Sequence, residues 1–283
     1  MRKTIKDFLK ETLVIMVVYR CPPEKSPSWN SLVQEAANQK ATIDLLVYDN
    51  SPEPQHFPTI PFIKMHYRHN SDNPGVSKAY NEGCVLAREE KKRWLLLLDQ
   101  DTSFAEGWLQ TYFQNTVEEP PALIKAPILL WESVIISPFR YWLSKGVPTS
   151  RVEPGDYSLD RYFAINSGLL IDREVFESVG GYDESIPLDF SDFAFLCKLK
   201  KNKYRFGVID LHGRHELSSI HEQDEDAAKQ RFKLYALGSK RLTSYTRQSF
   251  FHFLLGGGRA IRLGIRYRSL HFISILLQSW VSD

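Results

Sequence analysis

The chain has 283 residues, of which 43% are apolar and 25% charged, with a formal net charge of +2. This length and composition are ordinary for one large globular α/β domain, or for such a domain with an appendage. Its three cysteines, Cys21, Cys84 and Cys197, lie far apart, which excludes a disulfide framework and zinc spacings and makes a reducing compartment the default. Residues 13–18 are too short for a signal-peptide core and no run of about 20 apolar residues is present, so we expect a cytoplasmic protein.

The charges are distributed unevenly along the chain. Between Ala227 and Ser282 there are ten Lys or Arg residues and no Asp or Glu, so residues 227–283, with Asp283, carry +9. Residues 1–226 have 36 − 10 = 26 basic and 34 − 1 = 33 acidic groups, a net −7. We therefore predict two parts with different partners, residues 1–226 and a basic helical tail at 227–283.

In the first hundred residues, short apolar runs alternate with segments of helical spacing. The predicted strands are residues 13–18, 43–48, 62–67 and 94–98, and the predicted helices are residues 29–39 and 77–91. The all-apolar strands are typical of a sheet buried on both faces. The alternation of strand and helix predicts a mostly parallel sheet covered by helices.

Polar residues follow two of these strands. Asp49 and Asn50 come after residues 43–48, and Asp99 and Asp101 come where residues 94–98 end. In open parallel sheets, ligands bind outside the carboxyl ends of the strands. Two carboxylates at that edge suit a hard divalent cation with room for a phosphate-bearing substrate. Aspartate is also common in ordinary turns, so this pattern alone leaves both interpretations open.

A turn of small residues precedes the second helix. Gly75, Ser77 and Ala79 would let the N-terminus of that helix approach a diphosphate or a nucleoside. The sequence has neither the P-loop pattern nor the Gly-x-Gly-x-x-Gly pattern, which counts against P-loop and dinucleotide sites.

Beyond Asp101 the pattern is less regular. We predict a helix at 105–118, a strand at 123–131, a poorly ordered or variable excursion at 132–160, a strand at 163–172 broken by Ser167-Gly168, and a helix at 173–179 ending at Gly180-Gly181. A further helix starts near Asp189 and carries Asp189 and Asp192 on one face. Acidic residues are also common as helix caps, so a role in chemistry is open for each.

Together these motifs resemble the family 2 glycosyltransferases of the GT-A fold, and within them the rhamnosyltransferase-like branch. The resemblance rests on Val47-Tyr48-Asp49-Asn50-Ser51, Asn73-Pro74-Gly75-Val76-Ser77 with Asn81, Leu97-Leu98-Asp99-Gln100-Asp101, Ser167-Gly168, Gly180-Gly181-Tyr182-Asp183-Glu184 and residues 189–198. It covers about residues 12–216. It implies a Rossmann-like mixed, mostly parallel sheet flanked by helices, with the basic tail as a helical extension.

The resemblance also implies an inverting, metal-dependent transfer of a sugar from a nucleotide-diphosphate donor. The implied nucleotide contacts are Val18, Tyr19, Asp49, Asn50, Gly75, Asn81 and Asp99. Asp99 and Asp101 would hold Mn²⁺ or Mg²⁺, and His215 would complete the metal or phosphate site. Asp192 falls where the family places its general base, and Asp189 is the alternative. A base is needed because an acceptor hydroxyl is a weak nucleophile at neutral pH.

The expected substrates follow from the same resemblance. The Asp-Gln-Asp form favours dTDP-rhamnose as donor, with a UDP-sugar as the nearest alternative. We expect a saccharide or lipid-linked acceptor in bacterial surface polysaccharide synthesis. No zinc spacing or RNA-binding aromatic motif is present, so we expect no nucleic acid partner.

The basic tail predicts where the protein works. Arg259, Arg262 and Arg266 share one helical face, which is typical of helices that lie on an anionic membrane. Packing on the catalytic part or on a second subunit, as in a homo-oligomer, is the alternative. We expect peripheral contact with the inner face of the cell membrane.

Two positions depart from the family pattern. Ala194 stands where a second acid is common, and Lys198 where an arginine is common. These departures leave open a catalytically inactive, membrane-associated scaffold of the same fold. A nucleotidyltransferase is disfavoured, because it would need a Gly-rich, Arg-containing loop after the first strand, and Arg20-Cys21-Pro22-Pro23 is not one.

Overall fold

The computed structural model describes residues 3–117, 122–142, 145–216 and 224–281. Its strands are β1 Thr12–Val18, β2 Ile43–Asp49, β3 Ile63–His69, β4 Trp94–Asp99, β5 Thr102–Phe104, β6 Ile124–Trp131, β7 Val134–Ser137, β8 Phe139–Trp142, β9 Lys145–Val147, β10 Gly155–Ser158, β11 Tyr162–Phe163, β12 Leu169–Asp172 and β13 Arg205–His215. Its helices are α1 Ile5–Lys10, α2 Pro27–Gln39, α3 Gly75–Glu89, α4 Trp108–Thr116, α5 Arg173–Ser178, α6 Ser191–Lys201, α7 Glu225–Thr246, α8 Ser249–Tyr267 and α9 His271–Val281.

The main sheet has the strand order β10-β13-β6-β12-β4-β1-β2-β3, with β5 on β13 and β7 on β6. Strands β4, β1, β2 and β3 are parallel to one another, and β13 is parallel to β6. Strand β12 runs antiparallel to both β4 and β6. A smaller sheet has the order β11-β8-β9. This mixed, mostly parallel sheet between helices confirms the predicted α/β fold class.

The central strands are apolar throughout because both faces of the sheet are covered. Leu95 and Leu97 of β4 belong to the core beneath α3, α5 and α6. Leu96 and Leu98 belong to the core on the other face, beneath α1, α2 and α4. All four side chains are fully buried, and each stabilises the fold by about 1.5–3 kcal/mol. The leucine run therefore places Asp99 at the edge of a rigid sheet.

Several predicted elements were wrong or incomplete. The excursion predicted at 132–160 contains β7, β8, β9 and β10. The strand predicted at 163–172 is divided into β11 and β12 by residues 164–168, and the helix predicted from 105 begins at Trp108, after Gly107 with a φ of +82°. Residues 118–121 lie outside the described ranges. The sequence reasoning also missed α1, β5 and β13.

The basic tail is helical, as predicted, and packs as a bundle. Helices α7, α8 and α9 share a core of Ala228, Phe232, Ala236, Ala260, Phe272 and Leu276. On its other side, α7 packs against α6 through Leu242, which contacts Ile186 and Ala194. The predicted boundary at 226/227 lies in the first turn of α7, since that helix begins at Glu225. Among the described helices, none is both long enough and apolar enough to cross a bilayer.

Candidate active site

The carboxyl ends of β1, β2 and β4 meet at one edge of the sheet. In the parallel register, Val18 of β1 lies beside Asp49 of β2, and Val17 lies beside Asp99 of β4. Three of the predicted donor-binding residues, Val18, Asp49 and Asp99, are thereby brought together. This carboxyl edge, formed by the ends of β1, β2 and β4, is where the sequence predicts the ligand.

Asp99 is held by two neighbours at the carboxyl edge. The hydroxyl of Tyr80, a buried residue of α3, donates to Asp99 Oδ1 at 2.8 Å. The backbone N–H of Asp99 donates to Ser167 Oγ at 3.1 Å. Burial raises the pKa of Asp99, while the charge of His215 and the Tyr80 hydrogen bond oppose the rise. A cation beside this carboxylate would favour its ionised form.

Asp101 and His215 lie side by side because β5 pairs with the end of β13, where Thr102 lies opposite His215. His215 Nδ1 is 3.4 Å from Asp101 Oδ1 and 2.7 Å from Thr102 Oγ1. Asp101 Oδ1 is buried and has no hydrogen-bond partner among the described residues. Burial raises the pKa of Asp101 to about 6; the charge of His215 opposes this rise, and that of Asp99 adds to it.

Within the described ranges, no three His, Cys, Asp or Glu side chains converge as a ready-made metal site. The predicted ligands Asp99, Asp101 and His215 nevertheless lie close enough for their charges to affect one another's ionisation. The charge of His215 acts on both carboxylates, and that of Asp99 acts on Asp101. Two carboxylates and an imidazole are suitable donors for Mn²⁺.

The two carboxylates near the start of α6 have different surroundings. Asp192 accepts a hydrogen bond from the N–H of Phe193 at 2.8 Å. Burial raises the pKa of Asp192 to about 7; the N–H of Phe193 opposes the rise, and the charges of Asp99 and Asp189 add to it. Asp189 instead pairs with Arg231 of α7 at 3.1 Å. The sequence could not decide which of these two acids is the better candidate for a general base, whereas their surroundings distinguish them.

The break between β11 and β12 connects the carboxyl edge to α6. Ser167 accepts the N–H of Asp99, as described, and its neighbour Asn166 donates to Ser191 Oγ at 3.4 Å. Asn166 Oδ1 accepts the hydroxyl of buried Tyr182 at 2.6 Å. The sequence marked only Ser167-Gly168 in this break. Tyr182 belongs to a motif that carries the family resemblance but was not predicted as a site residue, and Asn166 carried no signal.

Asp49 orders the loop that follows β2. Its oxygens accept the N–H of Ser51 at 2.9 Å, the N–H of Gln55 at 2.7 Å and the hydroxyl of Tyr67 at 2.6 Å. Burial opposes its ionisation, but hydrogen bonds from Ser51, Tyr67 and Gln55 outweigh burial and hold the pKa of Asp49 below its usual value. Asp49 is completely buried, and its predicted contact with a base or ribose stays a prediction.

Tyr19 and Asn50 also lie at the carboxyl edge. The N–H of Tyr19 donates to Gln100 Oε1 at 2.7 Å, so the residue between Asp99 and Asp101 holds the end of β1. The ring of Tyr19 is exposed, with the guanidinium of Arg20 5.2 Å from its centroid. Asn50 is buried, and its Oδ1 has no hydrogen-bond partner within the part of the chain that the structure describes.

Gly75 and Asn81 of α3 contact the segment that leads to α6. Gly75 has a φ of +88°, and a Cβ there would overlap the carbonyl oxygen of Pro187. Asn81 accepts the N–H of Tyr182 at 2.8 Å and donates to Glu184 Oε1 at 3.0 Å. Gly75 and Asn81 therefore contact residues 182–187 of the same chain. Their predicted contact with nucleotide stays a prediction.

Helix α7 holds the same segment from the opposite side. Besides the pair of Arg231 with Asp189, the hydroxyl of Tyr245 donates to Asp183 Oδ2 at 2.7 Å. Arg241 donates to the carbonyl oxygen of Ser185. The residues before Asp192 are thus fixed between α3 and α7. Sequence reasoning missed this role of α7, because nothing local relates residues so far apart.

The two positions that depart from the predicted pattern have structural neighbours. Ala194 is completely buried in the core between α6 and α7. Lys198 Nζ donates to the carbonyl oxygen of Gly181 at 2.8 Å. Neither departure leaves a buried charge without a partner.

Comparison with known proteins places the chain in a family. The model of glycosyl transferase family 2 matches residues 13–180, more than half of the chain. The chain belongs to glycosyl transferase family 2. The match in this family 2 glycosyltransferase includes Asp49, Asp99 and Asp101, whereas Asp192 and His215 lie beyond it. No curated protein matches the sequence.

The solved structures similar to this glycosyltransferase include three of S. aureus TarS. The longest TarS chain gives 15% identity and a TM-score of 0.53 over 85% of this chain and 43% of TarS. TarS 1-349 gives 13% identity and a TM-score of 0.56, over 96% of this chain and 81% of that TarS chain. TarS 1-349 in complex with UDP-GlcNAc gives 12% identity and a TM-score of 0.53, over 95% of this chain and 89% of that TarS chain.

At these identities the likeness shows the fold alone, and it confirms the predicted GT-A architecture. This glycosyltransferase spans less than half of the longest TarS chain.

Proposed function

We propose that this family 2 glycosyltransferase moves a sugar from a nucleotide-diphospho-sugar to a hydroxyl of a saccharide or lipid-linked acceptor, with inversion at the anomeric carbon. The observation that carries the proposal is the half-buried carboxylate of Asp192. Its pKa is raised to about 7, and the charge of Asp99 at the carboxyl edge contributes to that rise. If the donor is held at the carboxyl edge, the acceptor hydroxyl that attacks it needs a base nearby, and Asp192 supplies one.

Asp192 acts as the general base. A carboxylate with a pKa near the working pH is both deprotonated often enough and basic enough to accept a proton from a hydroxyl. Asp189 suits this task less well, because the guanidinium of Arg231 neutralises it. The acceptor oxygen attacks as Asp192 takes its proton, from the face opposite the diphosphate.

Asp101 and His215, next to Asp99, would hold Mn²⁺ or Mg²⁺. Supporting this assignment, Asp101 Oδ1 is buried without a hydrogen-bond partner among the described residues, and burial raises the pKa of the carboxyl. A cation of this kind uses one or two protein carboxylates together with substrate phosphates, so a few protein ligands suffice. When bound, the ion neutralises the charge of the leaving nucleoside diphosphate.

We propose a pyrimidine nucleoside diphosphate as the carrier. TarS 1-349 has been solved in complex with UDP-GlcNAc, and the resemblance of the Asp-Gln-Asp form favours dTDP-rhamnose over a UDP-sugar. The exposed ring of Tyr19 and the buried Oδ1 of Asn50, which has no hydrogen-bond partner among the described residues, support a base and ribose beside β1 and β2. The product would be part of a bacterial surface polysaccharide.

Calorimetric titration with dTDP, UDP and GDP, with and without Mn²⁺, tests the proposal. We expect metal-dependent binding of dTDP or UDP that Asp101→Ala weakens about a hundredfold or more, since a metal ligand is lost. Asp210→Ala is the matched control, because Asp210 lies exposed on β13. The absence of binding by all three nucleotides would refute a nucleotide-sugar donor.

Donor hydrolysis without acceptor separates the enzyme from an inactive scaffold of the same fold. We expect slow hydrolysis that Asp101→Ala abolishes and Asp210→Ala leaves unchanged. Nucleotide binding without any hydrolysis or transfer would favour the scaffold instead.

A further inference from the structure

Helix α8 exposes an apolar face on the outside of the C-terminal bundle. Its members are Phe250, Leu254, Ile261 and Ile265, with exposed fractions of 68%, 52%, 55% and 75%. At about 100° per residue, these four side chains lie within an arc of about 60°. Gly257 and Gly258 lie along the same face, and a Cβ on either would meet no described atom within 4 Å.

Helix α9 has a similar face. Ile273, Leu277 and Val281 follow one another at a spacing of four residues, and all are exposed. Leu270, just before α9, is 80% exposed. The opposite sides of α8 and α9 already fill the bundle core. Both helices are therefore apolar on the inside and on the outside, a pattern that indicates a further covering surface.

Arginines lie next to the exposed apolar face of α8. On the same helical projection, Arg262 and Arg266 lie about 60° and about 100° beyond Ile265, towards the bundle. Both are exposed. Arg259 lies further round and places its guanidinium 4.2 Å from the ring centroid of Tyr235. No Asp or Glu occurs in the sequence from 227 to 282.

We propose that the exposed face of α8 and α9 docks on an anionic lipid bilayer. Its apolar side chains enter the boundary between headgroups and acyl chains, and Arg262 and Arg266 contact lipid phosphates. A second copy of the chain fits this face less well. In a two-fold interface, the same basic surface of α8 and α9 would be brought together from both copies, and the sequence from 227 to 282 supplies no carboxylate to neutralise it.

Both the charge and the apolar character of this face therefore favour an anionic bilayer as its partner. An anionic bilayer offers negative phosphates beside an apolar layer, the same order in which α8 presents arginines beside apolar side chains. The proposal goes beyond the proposed sugar transfer and holds whether or not that transfer is correct.

Flotation of the full chain with lipid vesicles tests the proposal. We expect binding to vesicles that contain phosphatidylglycerol and little or none to phosphatidylcholine alone. Ile261→Asp and Ile265→Asp should each weaken binding about tenfold or more, since each removes an apolar side chain from the bilayer and adds a charge. Arg262→Gln should weaken binding to the anionic vesicles, and added salt should do the same.

Val85→Asp is the matched control, because Val85 is an exposed aliphatic residue on α3, outside the tail. It should bind vesicles like the unchanged protein. Equal loss in Val85→Asp, or no binding of the unchanged protein to either vesicle, would overturn the proposal. Sedimentation velocity supplies the other decisive outcome: if Ile261→Asp dissociates an oligomer and leaves vesicle binding unchanged, the face joins two copies instead.

Nucleotide binding by the same variants in the absence of vesicles keeps the two proposals distinguishable. Ile261→Asp and Ile265→Asp should bind nucleotide as the unchanged protein does, since both positions face away from the bundle core. Loss of nucleotide binding together with vesicle binding would mean that these variants fail to fold. Phe250→Trp then decides: because the unchanged protein has six tryptophans, the difference in fluorescence between the variant and the unchanged protein is measured. This difference spectrum should shift to shorter wavelength with anionic vesicles, and its failure to shift would refute insertion.

Discussion

Replacing Asp192 with asparagine should stabilise the protein while removing its activity. The carboxyl of Asp192 has its pKa raised from 3.8 to about 7, chiefly by burial. A folded-state pKa above the unfolded one means that folding disfavours the ionised form. The penalty is absent below pH 3.8, grows between pH 3.8 and about 7, and is complete above that range. Asparagine has no charge to bury and keeps an oxygen for the N–H of Phe193.

The magnitude follows from the size of the pKa shift. About three units at 1.36 kcal/mol each amount to about 4 kcal/mol, and partial exposure of Asp192 to water reduces this value. We expect Asp192→Asn to raise the free energy of unfolding by about 2–4 kcal/mol at pH 8 and by much less at pH 5. Urea denaturation followed by circular dichroism, in buffer with EDTA, measures both values.

Asp189→Asn is the matched control for this experiment. Asp189 pairs with Arg231, so its replacement leaves a guanidinium without its partner and should lower the free energy of unfolding by about 1–3 kcal/mol. The sugar-transfer rate should fall about a hundredfold or more in Asp192→Asn and less in Asp189→Asn. Destabilisation by Asp192→Asn, or a gain equal at pH 5 and pH 8, would refute the assignment of a buried, ionisable base.

Three further outcomes are expected. The value of kcat/KM should rise with pH and level off above about 7, as Asp192 loses its proton; a flat profile would exclude this group as the base. Gly75→Ala should lower stability by about 3 kcal/mol or more in calorimetric unfolding, since a Cβ would overlap Pro187. Gly107→Ala, with a positive φ but no atom within 4 Å of its Cβ in the described part, should cost only about 1 kcal/mol. Arg231→Met should lower kcat about tenfold or more with little change in donor KM, because the base moves; an equal rise in KM would place Arg231 in donor binding.

The sequence predicted the parts of the fold that depend on local patterns. Residues 94–98 form a strand buried on both faces, and the carboxylates that follow them lie at the carboxyl edge. These predictions succeeded because a continuous apolar run fits only an element covered on both sides. Strand β13 was missed although Phe206, Val208, Ile209 and Leu211 are buried. Phe206 and Val208 belong to the core on one face of the sheet, and Ile209 and Leu211 to the core on the other, so the strand shows no single alternation of apolar and polar residues.

The sequence could not predict interactions that join distant segments. Asp189 and Asp192 looked equivalent until α7 supplied Arg231 to one of them. Gly75 and Asn81 matched family motifs, but their neighbours are residues 182–187. The strands at 134–158 were missed because each is three or four residues long, too short for a period-two pattern to stand out.

Helix α7 packs against both the family 2 domain and helices α8 and α9, so the C-terminal helices do not form an independent membrane anchor. Arg231 and Tyr245 lie 14 residues apart, about 21 Å along the helix, and hold the segment before the proposed base at Asp189 and Asp183. The opposite side of α7 carries α8 and α9. A chain ending at 226 would retain the whole family match and lose the contacts of α7 with the segment before the proposed base, Asp192. We therefore expect substitutions that change how the C-terminal helices pack to change the position of the proposed proton acceptor as well.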